Sequence, residues 1–89
     1  MKDLNDIRKE LDSLDGELLQ MLINRQELVK EVIAYKNEHS LPIRDRKREQ
    51  EIIADKINLA AGRLSADFVK NIYRLIIDES CRLQKKLKK

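Results

Sequence analysis

The chain has 89 residues, 42% of them hydrophobic and 39% charged, with two glycines, one proline and one cysteine. That is enough apolar material for one folded domain and too little turn chemistry for a multi-stranded sheet. The single cysteine excludes an internal disulfide and suits a reducing, cytoplasmic setting. The acid-bearing start MKDLNDIRKE does not suit a signal peptide, and no apolar run approaches the roughly 18 residues of a membrane span. The net charge of +3 is local. Four of the nineteen basic residues lie in the closing KKLKK, and the other fifteen face sixteen acids. Such a tail suits the negative pole of a helix end.

The first element predicted is a long helix from about Leu4 to Glu38, with Asp3 as its cap. Its apolar positions Leu4, Ile7, Leu11, Leu14, Leu18, Met21, Leu28, Val32 and Tyr35 follow steps of three and four. Pro42 disfavours helix at Leu41 and marks the turn. A second helix follows from about Arg46 to Ala61, capped by Asp45, with Ile52, Ile53, Ile57 and Ala60 on its apolar face and Gly62 as the left-handed stop. Ser65 caps a third, from about Ala66 to Lys86, whose stripe is Phe68, Val69, Ile72, Ile76, Leu83 and Leu87. The fold expected is all-α, a single domain over residues 1–89. A first helix of about 35 residues is ~50 Å long and overruns a compact chain of this size. The two shorter helices cannot cover it, so a second copy around a two-fold axis is expected, giving an intertwined helical homodimer.

Polar residues break these stripes. Arg25 falls on the first helix's seam between Met21 and Leu28, Lys36 lies four residues after Val32, and Arg8 flanks the seam between Leu4 and Leu11. Glu49 shares a face with Ile52 and Ile53, Arg48 lies four residues before Ile52, and Ser80 and Gln84 stand one turn apart on the third helix. Singly, each is ordinary: a seam residue that fixes register, or a side chain that lays its stem on apolar surface with its charge in water. Arg8 apart, they bring three positive charges and one negative from three helices. Buried charge needs neutralising, and a small anionic ligand supplies what is missing. Arg25 and Lys36 are about 16 Å apart along the axis and can converge on one molecule, whereas Arg8 is about 25 Å from Arg25 and serves that site only from a partner chain. Cys81 and His39 form no nucleophile–base pair, and no metal cluster appears. An enzyme built this way works by positioning and charge.

The segments IRKELDSLDGELLQMLINR, VKEVIAYK, PIRDRKRE and LIIDESCRLQ together resemble the all-helical chorismate mutases over nearly the whole chain. The resemblance implies a cofactor-free Claisen rearrangement of chorismate to prephenate, toward phenylalanine and tyrosine. It implies catalytic roles for Lys36, Gln84, Arg25 and Glu49, and substrate binding by Arg8, Arg25, Lys36, Asp45, Arg48, Glu49, Ser80 and Gln84. Arg25 and the partner's Arg8 are expected on the carboxylates of the dianionic substrate, and Ser80 on a carboxylate as well. Lys36 and Gln84 are expected on the ether oxygen, and Glu49 on the ring hydroxyl, with Asp45 and Arg48 shaping that end. Val32, Ile77 and Cys81 are expected as apolar wall. The alternatives are an isochorismate–pyruvate lyase of the same fold, disfavoured by PIRDRKRE and Glu49, and a metabolite-binding domain without turnover. A nucleic-acid module built on Arg44, Arg46, Lys47, Arg48 and the lysine tail lacks a stacking surface, with aromatics at 3%. Neither a nucleic acid nor a membrane is expected as a partner.

Overall fold

A computed structural model describes residues 1–89 as three helices and no strand: α1 (Leu4–His39), α2 (Arg46–Ala60) and α3 (Ala66–Leu87). Each N-terminus is held by the residue expected. The Asp3 carboxylate accepts from the Asp6 N–H at 2.9 Å, Asp45 from Arg48 N–H at 3.1 Å, and the Ser65 hydroxyl oxygen from Phe68 N–H at 3.2 Å. These bonds satisfy amides that a helix start otherwise leaves unpaired. The stop of α2 differs slightly from expectation. Ala61 already turns left-handed at φ 51°, and Gly62 follows at φ 78°, so the reversal takes two residues and only the second is free of side-chain strain.

The molecule is a rod with a short two-helix arm. It measures 57 × 24 × 15 Å, with a radius of gyration of 16.5 Å against about 12 Å for a compact chain of this length. α3 packs against both α1 and α2, while α1 and α2 do not approach each other closely. A cleft therefore opens between those two helices, floored by α3. The core is small: Val29, Ile33, Ile53, Val69 and Ile77.

The face of α1 that enters this core is not the stripe its periodicity picks out. Val29 and Ile33 are buried, whereas Leu4, Ile7, Leu11, Leu14, Leu18, Met21, Leu28, Val32 and Tyr35 all stay exposed. The helix has two apolar faces. One packs on α3 through Val29 and Ile33, with Leu22 half-buried beside them, and the longer one faces outward. From Leu4 to Met21 every residue of α1 is exposed. On α3 the buried line is Val69, Ile77, Ser80 and Gln84, while Phe68 and Ile72 remain outside. No helix is long and apolar enough to cross a membrane.

Candidate active site

Only eight residues of the chain are buried, and three of these are polar: Glu49, Ser80 and Gln84. All three line the same cavity, of about 230 Å³, in the cleft between α1 and α2. The cost of burying such groups is met locally, since every buried side-chain nitrogen or oxygen has a hydrogen-bond partner.

α1 contributes Arg25 and Lys36 from the margin of its α3-facing side. Both are half-buried, which separates them from their exposed seam neighbours Met21 and Leu28. The Arg25 guanidinium donates through Nη1 to Ser80 Oγ, and the Ser80 hydroxyl donates in turn to the Ile76 carbonyl at 3.0 Å. Ser80 thus spends its one hydrogen on its own helix and holds Arg25 as an acceptor. Lys36 Nζ donates to the Ile43 carbonyl at 2.6 Å and to Gln84 Oε1 at 2.8 Å. The first bond ties the α1–α2 connection to α1. The second fixes the Gln84 amide, so its NH₂ group keeps two hydrogens and Lys36 keeps a third N–H for a ligand.

α2 contributes Asp45, Arg48 and Glu49 from its first turn. Asp45 and Arg48 are exposed at the cavity mouth, and Asp45 Oδ1 is committed to capping. Glu49, 5% exposed, is gripped by arginines outside the cavity. Its Oε1 accepts from Arg44 Nη2 at 2.8 Å and Arg74 Nη1 at 2.9 Å, and its Oε2 accepts from Arg44 Nε at 3.1 Å. This forked pairing holds the Glu49 carboxyl below its ordinary pKa, with the Arg44 hydrogen bonds the largest cause and the Arg74 bond opposing the desolvation. Arg44 is correspondingly raised, chiefly by Glu49 and then by Asp78, whose carboxylate it also meets at 3.0 Å.

Of the eight residues singled out from sequence, Arg25, Lys36, Asp45, Arg48, Glu49, Ser80 and Gln84 line this one cavity, together with Val32, Ile77 and Cys81. Arg8 does not. It lies on the exposed half of α1, about 25 Å along the helix from Arg25. Arg44 and Arg74 were missed as parts of the site. Arg44 sits in a connection with no periodicity to place it, although its position five residues before Glu49 was a local signal. Arg74 lies one turn before Ile77 and Asp78 on α3, and nothing in its spacing distinguishes it from a surface arginine.

Residues 7–85 match the sequence profile of the family described as Chorismate mutase type II. The chain belongs to that family. Among its relatives, it is 34% identical over 83 residues to the 4-amino-4-deoxychorismate mutase of Streptomyces venezuelae, covering 92% of this chain and 81% of the relative. It is 31% identical over 87 residues to the chorismate mutase of Methanocaldococcus jannaschii, covering 96% and 87%. The T-protein of Haemophilus influenzae is 38% identical over 81 residues, 90% of this chain, but the chain spans only 22% of that protein's length. The family match runs through all three helices and takes in every one of the seven cavity-lining polar residues.

Proposed function

We propose that this chain rearranges chorismate to prephenate. The observation that carries the proposal is the donor set of the cavity. Arg25, Lys36, Arg48 and the Gln84 amide face one small space, and Glu49 is its only buried carboxylate. Such a lining suits a small dianion that also carries one hydroxyl. The reaction is unimolecular: a C–O ether bond breaks as a C–C bond forms, and no co-reactant enters. The residues have to hold the enolpyruvyl side chain over the ring and meet negative charge growing on the ether oxygen. The free N–H of Lys36 and the NH₂ of Gln84 are the donors for that oxygen. Arg25, held by Ser80, is suited to a carboxylate in the planar, paired way guanidinium groups favour. Ser80, which holds Arg25 and lines the same cavity, stands beside that carboxylate. Glu49 Oε2, with a lone pair unspent, accepts from the ring hydroxyl.

The same proposal includes a homodimer in which the partner's Arg8 completes each site. It is supported by the uncovered face of α1, where Leu4, Ile7, Leu11, Leu14, Leu18 and Met21 form a continuous apolar strip on a helix half that touches nothing else. Strips of that kind mark association surfaces, and like pairs with like around a two-fold axis. A cytoplasmic setting belongs to the proposal as well. The test is loss of chorismate absorbance on adding the protein, with the product identified. Prephenate supports the proposal. Unchanged chorismate, with pyruvate released when isochorismate is supplied instead, points to the lyase, and no reaction on either substrate defeats both.

A further inference from the structure

Glu49 is surrounded by more positive charge than the rearrangement calls for. Arg44 and Arg74 bind it directly, and Arg46 Nη1 stands 3.5 Å from Oε1. With Asp78 bound to Arg44, three guanidinium groups stand around two carboxylates. Neither Arg44 nor Arg74 lines the cavity, so they act on a bound molecule through Glu49 and through space. The other polar linings are donors, apart from Asp45, which is exposed and caps α2, and Ser80, whose oxygen is taken by Arg25. A ring substituent with a proton to donate therefore turns to Glu49.

We infer that Arg44 and Arg74 are specificity-determining residues, making Glu49 an acceptor for a neutral ring hydroxyl and a poor seat for a ring ammonium. The inference rests on the chorismate mutase proposal and refines it. A carboxylate keeps acceptor capacity after pairing with two arginines, because its two oxygens offer about four lone-pair directions and three are taken here. What it loses is net negative potential. A hydroxyl needs only the lone pair. An ammonium meets the lone pair and the repulsion of the guanidinium groups behind it, besides Arg25, Lys36 and Arg48 across the cleft. The discrimination is a real one in this family, since one relative is named for the substrate in which an amino group replaces that oxygen.

The experiment compares kcat/KM for chorismate and 4-amino-4-deoxychorismate in the parent chain, Arg74→Gln and Arg74→Lys. The parent should prefer chorismate. Arg74→Gln removes one cation and should shift the ratio toward the amino substrate by about tenfold, while Arg74→Lys, which keeps the charge, should leave it within about twofold of the parent. A parent that prefers the amino substrate, or an Arg74→Gln chain that loses both activities in equal proportion, overturns the inference and leaves the chorismate mutase proposal standing. A parent inactive on both substrates overturns the two together. Should Arg74→Gln not fold, the parent alone decides. An alkyl ammonium loses its proton between about pH 8 and 10, so the amino-to-chorismate ratio should climb across that range. Lys36 is among the cations that repel the ammonium, so any charge it loses moves the ratio the same way, and Arg25, Arg44, Arg46, Arg48 and Arg74 keep their charge. A flat ratio overturns the inference.

Discussion

Lys36→Ala is the perturbation on which the proposed chemistry turns. The ammonium of Lys36 makes two short bonds, to Ile43 O at 2.6 Å and Gln84 Oε1 at 2.8 Å. A hydrogen bond to a charged group contributes about 1.5–3 kcal/mol when dry. Lys36 is half-buried and water replaces part of each bond, so the pair together stabilises the protomer by about 1–3 kcal/mol. The effect on rate should be larger. Losing one preorganised donor to a developing oxyanion costs ~10²–10³ in kcat, about 2.7–4 kcal/mol of barrier. Alanine also frees the Gln84 amide to rotate, so the second donor loses its aim. Steady-state kinetics on chorismate, run beside urea denaturation at fixed protein concentration, separate the two effects. The expected outcome is a folded protein whose kcat falls ~10²–10³-fold while KM changes less than about tenfold, since Arg25 still holds a carboxylate. Arg25→Ala should instead raise KM and lower kcat together. A folded Lys36→Ala chain with kcat within about threefold of the parent would refute the proposed electrostatic role.

Other outcomes follow from the same geometry. The parent's pH–rate profile should be flat around neutrality, because Gln84 donates without titrating. In Gln84→Glu only the protonated acid donates, and Lys36 at 2.8 Å lowers the new carboxyl's pKa, so the rate should fall as pH rises out of the acid range; an unchanged profile would place residue 84 away from the breaking bond. Glu49 is held below its ordinary pKa of 4.5, so its pairing with Arg44 and Arg74 stabilises the fold above that pH and is lost as pH falls through the lowered value. Glu49→Gln should therefore unfold at lower urea than the parent at pH 7, and the gap should narrow as pH falls below 4.5; a gap independent of pH would contradict this. Mixing inactive Arg8→Ala and Arg25→Ala chains should recover about a quarter of the parent activity, one working site in each mixed dimer. Mixed dimers without activity would rule out a shared site.

Local chemistry made much of this protein legible before any coordinates. Asp3, Asp45 and Ser65 announce helix starts because each carries a short side-chain acceptor just before an apolar repeat. The polar residues that interrupt the stripes were legible for the opposite reason. Arg25, Lys36, Glu49, Ser80 and Gln84 occupy positions where an ordinary helix would place aliphatic carbon, and they meet in one cavity. Which face of α1 turns inward was not legible. Its outward stripe is longer and more regular than the pair Val29 and Ile33, and periodicity measures regularity rather than contact. Arg44 and Arg74 escaped because their importance lies in whom they touch, Glu49, and sequence distance carries little of that.

The overhanging half of α1 ties the protein's behaviour to how much of it is present. Eighteen residues, Leu4 to Met21, gain no packing from their own chain, and a helix without packing is marginal in water. In the paired arrangement proposed above, those residues become ordered only on encounter with a second copy, and the same encounter delivers Arg8. Folding then becomes second-order, and mass action enters twice over. Dilution below the dissociation constant removes structure and chemistry in one step, so specific activity falls with concentration although the assembled sites do not cooperate. The unfolding midpoint rises with protein concentration for the same reason. Abundance, with no effector or modification, is then a control on this catalyst.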